Sequence, residues 1–555
     1  MPPLTSAGEI RDGAPAPAAV IGVLGAGTMG AGIAQVALRT GAQTLLFDPF
    51  PAPLERGMER VRDGLAREVS KGRLSEQEGR EALERIEPAG ELRDLAACEL
   101  IIEAVPESLQ LKHELFAALS EIVSPDCVLA SNTSSLLVTA IAAAAKNPEQ
   151  VVGMHFFNPA PVMRLLEVVA GVESGAGALA LADATGAAMG KTVIRATDGP
   201  GFLVNRCNRP FGLEALRLLQ ERIADLESID RICRMEGAFR MGPFELMDLV
   251  GVDVGFEISK SFFEQSFGEP RWRPSPIAAR YVAAGLNGRK SARGYYDYGG
   301  GPGAPYRDED PDPPDPSLTP GEGVIVLSGS GALAEQLRAA ARDAGYEVRA
   351  PHEPSGGVLP SLAIDCSVDD ADASRAANAD AQGHDGGARL ILCARASLSR
   401  LDGGASAVGF HVLPPLDRAS MVELTMGAEA SAVAAGRAER FFNALGKHVV
   451  WVQDAPGLVL GRIVCQLINE AAFALGEGVG SAADIDLGMV LGLSHPRGPL
   501  EWADEIGIDH VLAVLDGLSD EYREDRYRAA PVLRRLAAAG RLGNRTGTGF
   551  FENRI

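Results

Sequence analysis

A histidine and a carboxylate twelve positions apart are the side chains in this sequence best suited to proton transfer. His155 ends an apolar run, and Glu167 follows in R-L-L-E-V-V. A histidine changes charge near neutral pH, and a carboxylate bonded to one ring nitrogen fixes the tautomer and stabilises the imidazolium. The stretch therefore predicts His155 as a general base oriented by Glu167. Taken alone, the pair has an alternative interpretation, a core histidine at a strand end and a surface glutamate.

A dinucleotide-binding fingerprint lies upstream of this pair. From Ala18 the sequence reads A-A-V-I-G-V-L-G-A-G-T-M-G, which predicts a short strand, a glycine turn and a helix of small residues. The three glycines allow the turn, the approach of a pyrophosphate and close helix–strand packing, with the phosphates at the helix N-terminus. The predicted cofactor-binding residues of this turn are Gly25, Gly27, Thr28, Met29 and Gly30.

The next predicted strand, T-L-L-F-D, ends in Asp48, eighteen positions after Gly30. A carboxylate about 20 residues beyond the fingerprint binds the ribose 2′-hydroxyl and repels a 2′-phosphate. The sequence therefore favours NAD over NADP.

Polar side chains follow the later strands of the same predicted sheet. Glu107 follows E-L-I-I-E-A-V-P, and Asn132 and Ser134 follow C-V-L-A. In an open α/β sheet, ligands bind beyond the carboxyl ends of the strands, where His155 is also expected. Asparagine and serine after a strand also cap helices, so both functions stay open for this pair.

Basic residues cluster in a charged helical stretch from Leu54 to Ile86. One interpretation is a solvated helix face, and the other is a landing site for the phosphates of a large anionic substrate. The residues are Arg56, Arg60, Arg62, Arg67, Lys71 and Arg73.

Changes of composition predict the domain boundaries. A helical segment is expected from about Phe202, with Asn205 in its first turn and near the mouth of the nucleotide site. The stretch after K-S-A-R-G-Y-Y-D-Y is too rich in Gly, Pro and Asp to pack, and is a linker. The predicted segments are a disordered tail at 1–17, an α/β Rossmann-like NAD-binding domain at 18–198, an all-α domain at 199–299, a linker at 300–321, a reduced Rossmann-like domain without cofactor at 322–453, and a second copy of the all-α domain at 454–555.

The second half of the chain repeats the first. V-G-F-H-V-L-P-P-L-D-R-A-S-M-V-E-L-T-M-G aligns without a gap on the stretch around His155, and an offset of 256 residues relates His155 to His411 and Glu167 to Glu423. The offset continues into the helical segment and slips by one residue near the end. The sequence therefore predicts a duplicated helical domain.

The second copy departs from the first at positions that matter chemically. Ser328 and Ser330 are expected where the fingerprint needs its first two glycines, and no acid follows the strand Y-E-V-R-A-P. Gly461 replaces Asn205 and Pro414 replaces Asn158. We therefore expect this half to bind no dinucleotide and to act structurally, its helical domain pairing with the first copy as an internal pseudo-dimer. The His411–Glu423 pair is interpreted as a relic kept for packing.

Composition excludes several classes of partner. The chain has 555 residues, 46% of them hydrophobic, and a net charge of −22, so nucleic acids and anionic membranes are not expected partners. Seven scattered cysteines without a C-x-x-C pair predict free thiols, no disulfide and no metal site. The first residues do not resemble a signal peptide, and no apolar run is long enough to cross a membrane, so a cytoplasmic protein is expected.

Taken together, these motifs resemble the 3-hydroxyacyl-CoA dehydrogenase family. G-A-G-T-M-G, S-N-T-S-S, H-F-F-N-P with its glutamate, and D-G-P-G-F-L-V-N-R stand in the family's order. The likeness covers residues 18–300, and the second half resembles the extra domains of the family's long bacterial form, the 3-hydroxybutyryl-CoA or 3-hydroxyadipyl-CoA dehydrogenase type. The resemblance implies NAD as cofactor, an acyl-CoA substrate, and a role in fatty-acid β-oxidation or phenylacetate catabolism.

Residue roles carry over from that resemblance. It implies that His155 removes the proton of the 3-hydroxyl group while hydride leaves C3, that Glu167 orients His155, and that Ser134 and Asn205 hold the reacting oxygen. The further cofactor contacts that it implies are Glu107, Lys112, Asn158 and Lys290, and Asn132 is added to the predicted cofactor contacts from its position after the strand. K-S-A-R-G-Y departs from the family's K-T-G-x-G-F/Y around Lys290, and no CoA contact is assigned.

Two alternatives to this function stay open at the level of sequence. One is an NAD-dependent dehydrogenase of a free hydroxy or sugar acid on the same scaffold. The other is a non-catalytic NAD-binding protein. A homo-oligomer is compatible with each of them.

Overall fold

The computed structural model describes residues 15–301, 305–353, 360–368, 388–401 and 407–552. Most of the predicted tail at 1–17 and residues 302–304 of the predicted linker lie outside these ranges. The chain forms two compact units, one containing the residues up to Arg206 together with Glu477–Leu493, and the other containing Cys207–Gly476 and Ser494–Ile555. The domain boundaries set from the sequence group these segments differently and stay a prediction. No helix within the described ranges is both long and apolar enough to cross a membrane.

The first unit is built on an eight-stranded sheet of order β3-β2-β1-β4-β5-β6-β7-β8. All neighbouring strands are parallel except β6 and β7. The strands are β1 Val20–Leu24, β2 Gln43–Phe47, β3 Ile86–Ala89, β4 Leu100–Glu103, β5 Val128–Ser131, β6 Val151–Phe156, β7 Leu165–Ala170 and β8 Thr192–Thr197. Most are almost wholly buried, as expected for a parallel sheet covered on both faces. The helices of this part are Thr28–Ala37, Pro51–Ser70, Glu76–Glu84, Leu109–Ser120, Val138–Ala142, Ala176–Ala188 and Val204–Cys207.

The second unit begins with the first helical segment. Its helices are Arg209–Gln220, Leu226–Met235, Pro243–Val250, Val252–Gln265 and Pro276–Ala283. The Asp230 carboxylate accepts the N–H groups of Phe244 and Glu245 at 2.9 Å each, at the start of the helix Pro243–Val250. This cap explains why a buried acid stands in the middle of an otherwise apolar helix face.

The same unit contains a seven-stranded sheet of order β10-β9-β11-β12-β13-β14-β15. Its strands are β9 Val324–Ser328, β10 Glu347–Arg349, β11 Leu362–Asp365, β12 Ala388–Leu392, β13 Val408–His411, β14 Met421–Met426 and β15 His448–Trp451. The order matches the first sheet without its edge strand β3. The chain passes from β10 to β11 through residues 350–361, whereas residues 48–99 join the corresponding strands of the first sheet. The predicted reduced Rossmann-like sheet is therefore confirmed.

The register of the second sheet corrects the prediction about its glycine turn. Val20 pairs with Gln43 in the first sheet, and Val324 pairs with Glu347 in the second, which fixes an offset of 304 residues. That offset places Gly329 and Gly331, not Ser328 and Ser330, at the first two fingerprint positions. Gly329 has φ +102° and Gly25 has φ +92°, which supports the match. The lost glycine is the third, because Ala334 stands where the first copy has Gly30.

The second helical segment repeats the first. Its helices are Leu460–Gly476, Ala482–Leu493, Pro499–Ile506, Ile508–Tyr522 and Pro531–Ala538. The helices that connect the strands of the second sheet are Ala332–Asp343, Leu398–Leu401 and Ala432–Ala444. The offset of 256 holds between the starts of several helix pairs and becomes 255 at Pro276 and Pro531. The predicted duplication is present in the fold.

One helix of each helical copy packs on the sheet of the other copy. Ala482–Leu493 packs on β7 and β8 of the first unit, and its counterpart Leu226–Met235 packs on β14 in the second unit. Ion pairs are exchanged in the same way: Arg206 binds Glu477 at 2.7 Å, and Arg462 binds Glu221 at 2.8 Å. The offset of 256 converts one pair into the other, so the arrangement within the two units is reciprocal.

Candidate active site

The glycine turn after β1 leaves room for a nucleotide at one position and packs tightly at the others. A Cβ on Gly25 would lie 2.7 Å from the Ala104 carbonyl oxygen, and one on Gly30 would overlap the Gly25 carbonyl oxygen. A Cβ on Gly27, by contrast, would meet nothing within 4 Å. Gly27 also caps the helix Thr28–Ala37, whose first turn contains Thr28 and Met29. The turn is therefore open where a pyrophosphate is expected.

Asp48 stands at the end of β2 and is tied to this turn. Its carboxylate accepts the Ala26 N–H at 3.0 Å and the Phe50 N–H at 3.1 Å. Of the predicted basic cluster, Arg60 reaches the turn, because its Nη1 atom lies 3.4 Å from the Ala26 carbonyl oxygen. Arg73 instead pairs with Glu68 at 3.1 Å. The cluster therefore contains both a residue at the turn and one on the charged helix surface.

The loop after β5 is held by Glu107. Its Oε1 atom accepts the backbone N–H groups of Ser134 and Ser135 at 2.9 and 3.1 Å and the Thr133 hydroxyl at 2.7 Å. Burial raises the pKa of Glu107, but the Lys112 charge and these hydrogen bonds outweigh burial and lower it overall. Glu107 thus fixes the backbone that presents Ser134, whose side chain lies at the exposed surface.

Lys112 lies beneath this loop and is only 1% exposed. Its ammonium binds both oxygens of Glu103 at 2.7 and 2.8 Å and lies 3.3 Å from Glu107. Glu103 in turn accepts the Ser131 hydroxyl at 2.6 Å. The predicted contact of Lys112 with the cofactor stays a prediction, and the contacts that the structure gives Lys112 are with carboxylates supporting the loop.

Two of the predicted asparagines differ in their surroundings. Asn132 Oδ1 accepts the Phe156 N–H at 2.8 Å and so ties the loop after β5 to the end of β6. Asn158, two residues beyond β6, is exposed. Both lie at the carboxyl edge of the sheet, where the prediction placed a cofactor.

His155 and Glu167 are direct cross-strand neighbours on β6 and β7. His155 Nδ1 lies 2.6 Å from Glu167 Oε2, and the pair is buried. Glu167 Oε1 accepts the N–H groups of Leu203 and Val204 at 3.2 and 3.0 Å. The twelve-residue spacing is therefore that of an antiparallel hairpin, and one carboxylate holds both the imidazole and the start of the next helix.

Rings and a helix complete the surroundings of His155. The ring centroids of Phe157 and Phe202 lie 4.6 and 5.8 Å from that of His155. Asn205 follows Val204 in the short helix that Glu167 caps, and it is half-buried. Since Nδ1 is bound to Glu167, and no bond to Nε2 occurs within the described residues, Nε2 is the nitrogen available to a substrate.

Lys290 is the predicted site residue outside the first unit. Its ammonium pairs with Asp253 at 2.6 Å, and about half of its side chain is exposed. Its role in binding the cofactor stays a prediction.

The equivalent pair in the second copy has the same register but different hydrogen bonds. His411 stands opposite Glu423 on β13 and β14. Glu423 accepts the N–H groups of Val459 and Leu460 at 2.7 and 2.8 Å, but His411 Nδ1 has no hydrogen-bond partner in the described part of the chain. His411 Nε2 lies 3.2 Å from His510 Nε2.

Glu236 joins this pair and was not found from the sequence. One ligand atom each from Glu236, His411 and Glu423 lie within 4.8 Å of one another. Burial and the Glu423 charge raise the pKa of Glu236 well above its ordinary value, and the Leu413 N–H offsets this rise only in part. Burial also raises the pKa of Glu423 to about 8, although its two backbone hydrogen bonds act to lower it. Burial, with His510, lowers the pKa of His411 well below its ordinary value. The repeat gave no signal for Glu236, because its counterpart in the second copy is Gly492.

A Rossmann sheet with an open glycine turn, followed by a histidine–glutamate pair and a helical segment, defines an NAD-dependent dehydrogenase. Residues 20–199 match the family model for the 3-hydroxyacyl-CoA dehydrogenase NAD binding domain, and residues 201–298 and 457–553 match the model for its C-terminal domain. The chain therefore belongs to the 3-hydroxyacyl-CoA dehydrogenase family, and it is an NAD-dependent oxidoreductase. The predictions of family, fold class, cofactor and enzyme class are confirmed.

Relatives of two lengths resemble the chain. It is 36% identical to the 3-hydroxyadipyl-CoA dehydrogenase of Escherichia coli over 93% of this chain and 97% of that protein. It is 41% identical to the 3-hydroxybutyryl-CoA dehydrogenase of Mycobacterium tuberculosis over 50% of this chain and 98% of that protein. The crystal structure of 3-hydroxybutyryl-CoA dehydrogenase from Escherichia coli K12 covers 94% of this chain and 98% of its own, with 33% identity and a TM-score of 0.74.

Proposed function

We propose that the chain interconverts a (S)-3-hydroxyacyl-CoA and the corresponding 3-oxoacyl-CoA, with His155 as the general base. The observation that carries the proposal is the 2.6 Å bond between His155 Nδ1 and Glu167. This bond leaves Nε2 to take the proton of the 3-hydroxyl group, and the buried carboxylate stabilises the imidazolium that forms. Ser134 and Asn205 hold the reacting oxygen in this proposal.

NAD binds along the carboxyl edge of the first sheet. The open turn at Gly27, the Asp48 carboxylate and the loop held by Glu107 support this position. NAD held there would supply the acceptor for the hydride that leaves C3 of the substrate. The chain's own contribution is to orient the two reactants, to hold the proton on His155 and to exclude water with the phenylalanine rings beside it.

The acyl group is proposed to be short or dicarboxylic, such as 3-hydroxybutyryl or 3-hydroxyadipyl. The full-length relative is named a 3-hydroxyadipyl-CoA dehydrogenase, and the half-length relative is named for 3-hydroxybutyryl-CoA. The crystal structure that matches nearly the whole chain is also named for 3-hydroxybutyryl-CoA, so agreement in length does not distinguish the two acyl groups. Because the reaction is an interconversion, it can be assayed either as oxidation of the 3-hydroxyacyl-CoA or as reduction of the 3-oxoacyl-CoA.

The experiment compares NADH oxidation with acetoacetyl-CoA and with 3-oxoadipyl-CoA at matched concentrations. We expect turnover of at least one thioester, and the ratio of the two kcat/KM values shows whether the enzyme prefers an acyl group with a distal carboxylate. His155→Gln is expected to bind NADH as the wild type does and to lose roughly 10²–10⁴-fold in kcat. His113→Gln is the matched control, because His113 lies in the same unit and its Nε2 atom is bonded to the Ala140 carbonyl oxygen, at 2.7 Å, away from His155 in the sequence and in its hydrogen bonding. NADH binding without reduction of either thioester would contradict the proposal and favour a free hydroxy acid as substrate.

We also propose that the second half makes the chain an internal pseudo-dimer in the cytoplasm. The exchanged helices and the reciprocal pairs Arg206–Glu477 and Arg462–Glu221 support the pseudo-dimer. All seven cysteines are buried free thiols, which supports a reducing compartment. Deleting residues 321–555 is expected to give an aggregated or inactive chain, because it removes the helix that packs on β7 and β8. An active, stable monomer from this deletion would contradict the pseudo-dimer.

A further inference from the structure

Three potential metal ligands meet in the second unit, away from the pair that serves the dehydrogenase reaction. They are Glu236, His411 and Glu423, and one ligand atom from each lies within 4.8 Å of the other two. Glu236 is 5% exposed, and the other two side chains are 0% exposed. Because the three groups are buried together, the carboxylates can be charged only if a cation balances them, and otherwise they must hold protons.

The described surroundings provide no cation for this cluster. Neither Glu236 nor Glu423 makes an ion pair with lysine or arginine within the described ranges. Neither Glu236 oxygen has a hydrogen bond of good geometry there, and the Leu413 N–H is the backbone group that faces this carboxylate. His411 Nδ1, also fully buried, has no partner among the described residues either. An isolated buried carboxylate is costly unless it is paired or coordinates a metal. A divalent cation would balance both carboxylates and satisfy the unpartnered nitrogen and oxygens together.

The cluster is specific to the second copy. At the offset of 256 residues, Gly492 takes the place of Glu236, so the first copy lacks the third ligand. Asn205 of the first copy becomes Gly461, and a Cβ on Gly461 would overlap the His411 ring. The glycine therefore permits a ring position in which Nδ1 is released from the carboxylate that binds it in the first copy. The two substitutions together convert a proton-transfer pair into a three-ligand cluster.

We propose that Glu236, His411 and Glu423 bind one zinc ion, with water as the fourth ligand. One imidazole nitrogen and two carboxylate oxygens suit a four-coordinate zinc site, whereas magnesium and calcium require six or more oxygen ligands. Bonds of about 2.0–2.2 Å place tetrahedral ligands about 3.4 Å apart, so the side chains move inward when the ion binds. The proposal does not depend on the dehydrogenase mechanism.

The ion would act as a structural cross-link. Glu236 directly follows the helix Leu226–Met235 of the first copy, whereas His411 and Glu423 belong to the second sheet. A backbone bond already joins these segments, because the Ser420 N–H donates to the Met235 carbonyl oxygen at 3.0 Å. Zinc would therefore fasten the exchanged helix to its host sheet, and its binding energy would add to the free energy of unfolding.

The test measures metal in the full chain, expressed without a polyhistidine tag in zinc-supplemented medium and purified without chelator. We expect about one zinc per chain by mass spectrometry of the digested protein, and visible d–d absorption after exchange for Co²⁺. Glu236→Gln should lose both signals. Glu173→Gln removes the same charge from an exposed position and should keep them.

Two results would overturn the proposal. One is a wild-type chain that holds only substoichiometric zinc and takes up neither Zn²⁺ nor Co²⁺ on refolding, which would show that the carboxylates are neutralised by protons. The other is a Glu236→Gln chain that keeps the full zinc content. If Glu236→Gln does not fold, Glu236→Asp and the cobalt spectrum of the wild type decide the question, since low-coordinate Co²⁺ absorbs more strongly than hexaaquo Co²⁺.

Discussion

Glu167 both orients His155 and caps the start of the next helix, and a glutamine at this position cannot do both. Glu167 is fully buried and accepts three hydrogen bonds, from His155 Nδ1 and from the N–H groups of Leu203 and Val204. A glutamine has one acceptor oxygen. If that oxygen faces the backbone, the amide N–H₂ faces Nδ1 and forces the proton to Nε2, where it blocks the base. If it faces Nδ1, the amide donors face the backbone N–H groups.

The expected magnitudes follow from these alternatives. A buried donor left without an acceptor costs about 1–3 kcal/mol, and the lost carboxylate charge no longer stabilises the imidazolium. We therefore expect the free energy of unfolding to fall by about 1–3 kcal/mol. We expect kcat to fall roughly 10²–10⁴-fold, because the base is held in the wrong tautomer or loses its orientation. NADH binding should change little, since the hydrogen bonds of Glu167 within the described residues go to the imidazole and to the start of the helix.

The assay combines urea unfolding, NADH titration and steady-state reduction of acetoacetyl-CoA. Asp198→Asn is the structural control. Asp198 accepts the N–H groups of Val138 and Thr139 at 3.0 and 2.7 Å, so its loss also leaves a backbone donor unpaired, without touching His155. We expect the control to lose stability and to keep kcat within about threefold of the wild type. A Glu167→Gln enzyme with near wild-type kcat would refute the assignment of His155 as a base that Glu167 orients.

Three further predictions concern pH, packing and charge. Burial lowers the pKa of His495 to about 3, whereas the unfolded chain binds this proton near pH 6.5. The contribution of this one residue to stability is therefore complete above about pH 6.5 and falls by about 2 kcal/mol between pH 7 and 5. His495→Asn should remove this part of the pH dependence in urea unfolding, while the buried His411 and His510 keep theirs. Gly30→Ala should abolish NADH binding in fluorescence titration, because its Cβ overlaps the carbonyl oxygen of Gly25. Arg462→Met should cost about 3 kcal/mol, because the buried Glu214 then keeps only the longer 3.4 Å contact with Arg526 and the Tyr527 hydroxyl among the described residues. Adding Glu214→Gln should recover much of this loss, and an unchanged double variant would refute the cause.

The parts of the fold that follow from short-range patterns were predictable from the sequence. Buried strands alternate with helices, and the glycine turn, Asp48 and the polar strand ends all stand where parallel topology brings them to one edge of the sheet. The spacing of His155 and Glu167 was informative for the same reason, because a short connection between two strands favours an antiparallel pair. These features depend on residues close in sequence or on a general rule of sheet topology.

The glycine register of the second copy was not predictable in this way. V-I-V-L-S-G-S-G matches V-I-G-V-L-G-A-G equally well with or without a one-residue gap. The correct register is set by hydrogen bonding to the neighbouring strands, which the local sequence does not report. The exchange of helices was hidden for a related reason. A repeat shows which segments are equivalent but not which sheet each of them packs on, and so it gave no reason to place Glu236 beside His411.

The retention of Glu423 is explained by a backbone requirement. Both copies use this glutamate to accept the first two N–H groups of the helical segment, at Leu203 and Val204 in one and at Val459 and Leu460 in the other. Losing the carboxylate would leave those buried donors unpaired in either copy, so the glutamate persists whether or not its histidine works as a base. The discriminating feature is the bond from Nδ1 to the carboxylate, present for His155 and absent for His411. A histidine–glutamate motif in this family therefore identifies the hairpin and its helix cap, and catalysis has to be argued from the imidazole contact.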